Sequence, residues 1–237
     1  MHYYYNAEDY ISHHGILGQK WGKRNGPPYP LGQEAHSAVE KEKAEDTERK
    51  WNAVNDLYKE LDTEWDYGVL DKERGRIIEE DGGEGLSKYE WGKYYHTIPL
   101  ETLAKEKVGV CWDFVNYQHD RLNKAGIKND AYMVYMDLSD EEHPDRTATH
   151  TFTTFELGSK TYWLESAAWP KRGIHEINDF RDAAKEVKEI YTKEKAPYSI
   201  FKYNPDGLDK GLTDAEFYDR VTEGNWIMDV DADEEKK

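Results

Sequence analysis

From Trp51 onward the apolar positions step by three and four. Trp51, Val54, Tyr58, Leu61 and Trp65 form one stripe, with Glu and Lys on the remaining faces. The pattern predicts an amphipathic helix docked on the domain that follows, and Ser37 and Glu40, at capping-box spacing, mark its expected start. Residues 67–98 carry short apolar runs broken by glycine turns, "RIIEE" the best formed, and predict short strands. "PLETLAKEKVG" predicts a short helix turning at Gly109. A second helix is expected from Cys111, because Cys111, Val115, Gln118, His119, Leu122 and Ala125 fall near one face and Gly126 stops it.

Beyond that helix the period changes to two. "DAYMVYMDL" and "THTFTTFEL" read as strands, "KTYWLES" follows a turn at Gly158 and Ser159, and "RGIHEI" adds a short piece. "DFRDAAKEVKEIYTKE" is a further helix, "PYSIFKYN" a last strand and "TDAEFYDRVTEG" a terminal helix. Helices first and an antiparallel sheet afterwards make the chain α+β. The expected organisation is an irregular Gly/Pro-rich segment over 1–32, a charged amphipathic helix or linker over 33–66, a folded domain over 67–226 and an acidic tail over 227–237.

Composition narrows the function. The 237 residues allow one sizeable core with extensions. A formal charge of −17 argues against nucleic acid and anionic membrane as partners, since phosphate contacts need clustered Lys and Arg. No run of eighteen apolar residues occurs, and the first twenty lack a basic start and an apolar stretch. A chain without signal peptide or transmembrane segment is therefore expected. The 1 cysteine, Cys111, excludes an internal disulfide framework and a multi-cysteine zinc site. That thiol is either a small buried hydrophobe or a nucleophile.

Three residues stand in suggestive order: Cys111 at a helix start, His150 within a strand and Glu165 at the end of the next strand. The first turn of a helix presents unpaired N–H groups and the positive end of the macrodipole, which favour a thiolate and can receive an oxyanion. If the hairpin turns at Gly158 and Ser159, Leu157 opposes Lys160. His150 then opposes Ala167, and Glu165 sits diagonal to His150 on the same face. A carboxylate there holds the imidazole by one nitrogen while the other faces the thiol. His119, His143 and His175 are rival bases, but His119 lies about 12 Å along the helix from Cys111. Asp113 and Glu156 are alternative orienting acids.

"VGVCWDF", "THTF" and "YWLES" together resemble the transglutaminase-like superfamily of papain-fold enzymes, across about residues 95–170. The resemblance implies Cys111 as nucleophile, His150 as base and Glu165 as orienting acid, a position more usually Asp in the family. It implies a papain/transglutaminase-like domain without cofactor, acting on amide bonds of a protein or peptide as peptidase, deamidase or acyltransferase. The superfamily also contains members that have lost catalysis, so a silent structural or host-interaction module is the alternative.

The stretch "HHGILGQKWGKRNGPPYPLG" at 13–32 has no helical or strand period. It resembles a short segment of tailed-phage and prophage proteins encoded near head and portal genes. The resemblance implies a docking peptide for a phage head or portal component, with a virion or host bacterial cytoplasm as location. Ile16, Leu17 and Trp21 supply its anchors. His13 and His14 project differently and have no third ligand at helical spacing, so no metal is expected. Gln19 beside Lys20 offers residue types suited to a self-substrate.

Overall fold

The computed structural model describes residues 33–78, 91–142, 144, 146–168, 171–192 and 196–230, with the side chains of 33–38 and 91–92 excepted. The docking segment, with Ile16, Leu17 and Trp21, and His143 lie outside the described residues. The described residues divide between two units, the boundary falling after Arg49.

Helix α1 (Gln33–Glu64) begins before the expected cap, so Ser37 is inside the helix. Gln33, Glu34 and Ala35 are good helix formers, and no breaker intervenes after Gly32. Its part from Lys50 onward belongs to the second unit. There Val54, Leu57 and Leu61 are buried in one cluster with Trp65, Phe114, Phe155 and Leu164, and Trp51 and Tyr58 pack against it. The end of the supposed linker is thus core, and the unit boundary falls within the helix.

Short pieces follow: β1 (Asp66–Asp71), β2 (Gly75–Ile78), α2 (Trp91–Tyr94), α3 (Leu100–Glu106) and β3 (Val108–Gly109). They form a three-stranded sheet in the order β2-β1-β3. Helix α4 (Cys111–Lys124) runs next, and Gly126, at φ +68°, turns the chain away from it. A six-stranded antiparallel sheet is then built from β4 (Asn129–Asp137), β5 (Thr147–Leu157), β6 (Lys160–Glu165), β7 (Gly173–Ile177), β8 (Tyr198–Tyr203) and β9 (Trp226–Val230), in the order β7-β6-β5-β4-β8-β9. Helices α5 (Phe180–Tyr191) and α6 (Asp214–Thr222) interrupt its later strands. The architecture is α+β, as the change of period predicts. The acidic tail starts later than expected, because residues 227–230 complete β9, and 231–237 lie outside the described residues.

Alternation along the strands distributes the core. Ala131, Met133, Thr151, Thr153, Phe155 and Leu164 share a face by register, and this face meets α1, α4 and α6. Tyr132, Val134, Phe152 and Trp163 occupy the other face and pack with Ala183, Ala184 and Val187 of α5. Helices on both faces explain why the middles of the two strands, Ala131 to Val134 in β4 and His150 to Phe155 in β5, are buried without a break.

Candidate active site

Cys111 is the first residue of α4, after Val110 in extended conformation. The backbone there is fixed by Asp113. Its Oδ2 accepts from the Val110 N–H at 3.1 Å, and its Oδ1 accepts from the Ile98 N–H at 3.3 Å and the Tyr95 hydroxyl at 3.2 Å. Gly109 makes room for this carboxylate, since a Cβ at 109 would stand 2.7 Å from the Asp113 Cβ. Spacing in "GVCWD" therefore has a physical basis: a glycine where the acid must pass, and the acid two residues after the thiol. Burial drives the Asp113 carboxyl up to about 7, against those three hydrogen bonds.

His150 pairs with Val134 across β4 and β5, which places it on the α5 face. Glu165 alternates with Trp163 and shares that face. Glu165 Oε2 lies 3.0 Å from His150 Nε2. Its Oε1 accepts from the N–H groups of Ala167 and Ala168, each at 2.8 Å. Sequence register is correct from Leu157↔Lys160 to Thr153↔Leu164, but pairing ends there and does not reach His150 and Ala167.

Cys111 packs with Ala131 and Met133, residues of the opposite face from His150. It does not approach across a single face. Beyond Thr153, β5 has no β6 partner in the register. The chain leaving β6 is tied instead to α4, where Gln118 Nε2 donates to Ser166 Oγ at 3.0 Å. Cys111, at the start of α4, hydrogen-bonds through its thiol with His150.

Electrostatics within the trio follow from enclosure. Cys111 is 6%, His150 1% and Glu165 2% exposed. Burial raises the Glu165 carboxyl, but the His150 charge and hydrogen bond together with the Ala168 and Ala167 amides outweigh it and hold Glu165 below the usual 4.5. Burial also opposes an imidazolium. The Tyr191 oxygen facing the ring and the Glu165 charge, with hydrogen bonding to Cys111 and Glu165, overcome that and raise His150 well above 6.5. The arrangement can hold a proton on the imidazole next to the sulfur.

Two tyrosines complete the surroundings, and the sequence offers little signal for either. Tyr191, in the last turn of α5, places its hydroxyl 3.2 Å from His150 Nδ1. Tyr203 is buried in the Cys111 cluster, and burial first, then the nearby Cys111, keep its phenol well above the usual 10. Neither belongs to a local motif; each reaches the site only through the sheet and α5.

The described rivals stand elsewhere. His119 Nδ1 lies 2.7 Å from Asn129 Oδ1, and His175 Nε2 lies 2.8 Å from the Lys171 carbonyl oxygen. Glu156 pairs with Lys128 at 2.6 Å. Among the described residues no group of three or more His, Cys, Asp or Glu is arranged to hold a metal ion, and no helix is long and apolar enough to cross a membrane. Neither the models of known protein families nor the curated protein sequences match this chain.

Proposed function

We propose that the chain is a transglutaminase-like cysteine enzyme that acts on amide bonds of a protein or peptide through Cys111, His150 and Glu165. The observation that carries this reading is the anchored relay. Glu165 is fixed by two backbone amides, it holds His150 by Nε2, and the imidazole also interacts with a thiol at a helix start. A nucleophile, a base and an orienting group are the parts acyl transfer needs.

In this mechanism the sulfur attacks the amide carbonyl, and the first-turn N–H groups of α4 receive the oxyanion. The C–N bond breaks as the imidazolium gives its proton to the leaving nitrogen. Water or an amine then attacks the thioester, passes its proton to the imidazole and releases the thiolate. A water acceptor makes the enzyme a peptidase or deamidase; an amine acceptor makes it an acyltransferase. A helix start abutting an antiparallel sheet that carries the base and the acid also supports the papain-like assignment.

Labelling with iodoacetamide tests the reading. Cys111 should react at neutral pH and lose that reactivity in His150→Ala, whereas an inert thiol reacts equally slowly in both. A silent module is favoured by a different observation, the 6% exposure of Cys111. Equal, slow labelling of both proteins selects it.

We further propose virion association through residues 10–32, on the resemblance of that segment to phage head-associated proteins. Deleting residues 1–32 should leave Tm unchanged and abolish particle association. Unaltered association after Ile16, Leu17 and Trp21 are changed to serine contradicts this.

A further inference from the structure

His150 is held from both ends. Nε2 is committed to Glu165, so protons exchanged with the substrate must pass through Nδ1. At Nδ1 the structure places a phenolic oxygen, the Tyr191 hydroxyl, at 3.2 Å. Tyr191 as a whole is 37% exposed, in contrast with the enclosed trio, while burial of its inner end raises its pKa. A partly exposed residue thus delivers a protonated hydroxyl to an enclosed base.

The position of that oxygen has a chemical meaning, given the proposed acyl transfer on which this inference rests. In the first half-reaction the leaving nitrogen must stand within hydrogen-bond distance of Nδ1 to take the proton. In the second, the attacking water or amine must stand there to give one up. Both heteroatoms need the place now held by the tyrosine oxygen. We infer that Tyr191 occupies the acyl-acceptor position of the resting enzyme and is a positioning residue that must yield it in each half-reaction. Tyr191 then regulates entry of the acceptor, while the sulfur's attack on an acyl group proceeds beside it.

An activated ester separates the two steps. With p-nitrophenyl acetate, the Cys111 sulfur attacks the acetyl carbon and the C–O bond breaks. The leaving p-nitrophenolate departs as an anion and needs no proton from Nδ1; the imidazolium, its thiolate partner now acylated, loses its proton to solvent and is left as the neutral base. Deacylation does use Nδ1: water attacks the thioester, its proton passes to the imidazole, the C–S bond breaks and acetate is released.

The test is burst and steady-state kinetics of p-nitrophenol release by the full chain and by Tyr191→Phe and Tyr191→Ala. The expected result is an unchanged burst amplitude with steady-state deacylation faster by roughly two- to tenfold in both variants, the range set by one net hydrogen bond. Phe keeps the ring and removes only the hydroxyl, so its effect reports on the Nδ1 position. Deacylation that is unchanged or slower in Tyr191→Phe overturns the inference, the slower case by showing that the hydroxyl assists turnover. Absence of a burst from the unaltered chain, with the same trace from Cys111→Ala, overturns the enzymatic reading itself and this inference with it.

Discussion

Glu165 joins His150 through one carboxylate oxygen, at 3.0 Å, and the turn after its own strand through the other, by two amides at 2.8 Å. The second set of bonds gives the first its direction. A carboxylate at a strand end is ordinarily free to rotate into solvent, but here the amides of Ala167 and Ala168 fix its plane before the imidazole is met. Enclosure strengthens each of these charge-assisted bonds.

Replacing Glu165 with Gln keeps an acceptor oxygen but removes the charge that helps keep His150 protonated. Acyl transfer should fall roughly a hundredfold or more. The alkaline limb of its pH profile should move toward that of an ordinary imidazole. Stability changes with pH in a defined sense. The raised His150 contributes most below 6.5 and loses its contribution as pH rises through its folded value. The lowered Glu165 contributes above 4.5 and loses its contribution as pH falls. Denaturant unfolding should therefore separate Glu165→Gln from the unaltered chain most between 4.5 and 6.5.

Gly109→Ala should disturb the site without touching the trio. The added methyl meets the Asp113 Cβ at 2.7 Å, next to the backbone of α4, and cannot be relieved by rotation of a distant side-chain end. Overpacking of this kind costs about 1–3 kcal/mol. Thermal unfolding should show the loss, and alkylation of Cys111 should slow with it. Unaltered Tm and alkylation mean that the start of α4 does not depend on Asp113.

Asp113 itself sets a second pH dependence. Its folded value of about 7 exceeds the usual 3.8, so the folded state holds the proton more tightly. The stability it contributes is full below 3.8 and is lost as pH rises to about 7, a change of roughly 4 kcal/mol. Asp113→Asn should flatten stability across that window. The amide also turns a donor toward the Val110 N–H, so a lower Tm at acidic pH is expected with it.

Local pattern revealed most of the elements and the three residues of the candidate site. The helix start at Cys111 and the turn at Gly158 were readable because each rests on short-range chemistry, a glycine or a hydrophobic period. What was not readable depends on distance in the chain. The meeting of Cys111 and His150 depends on how α4 docks on the sheet, which no local pattern encodes. Tyr191 reaches the imidazole from 41 positions away through the packing of α5. Strand β9 is not legible in the sequence because "WIMDV" is a short edge segment, with Asp229 interrupting its apolar run. The early start of α1 is hidden because a capping pair at Ser37 and Glu40 has the same spacing whether or not a helix already runs through it.

Cys111→Ala removes little volume from the cluster it shares with Trp112 and Met133. It should cost about 1 kcal/mol of stability and all acyl-transfer activity. A native Tm with residual turnover of p-nitrophenyl acetate above background places the chemistry elsewhere.

The direct test of the central claim is the rate of Cys111 alkylation by iodoacetamide as a function of pH, in the unaltered chain and in His150→Ala. With 1 cysteine in 237 residues, the label reports on this site alone. The account predicts ready alkylation at neutral pH, slowed roughly tenfold or more without the imidazole. Alkylation at the same rate in both proteins across the pH range contradicts it.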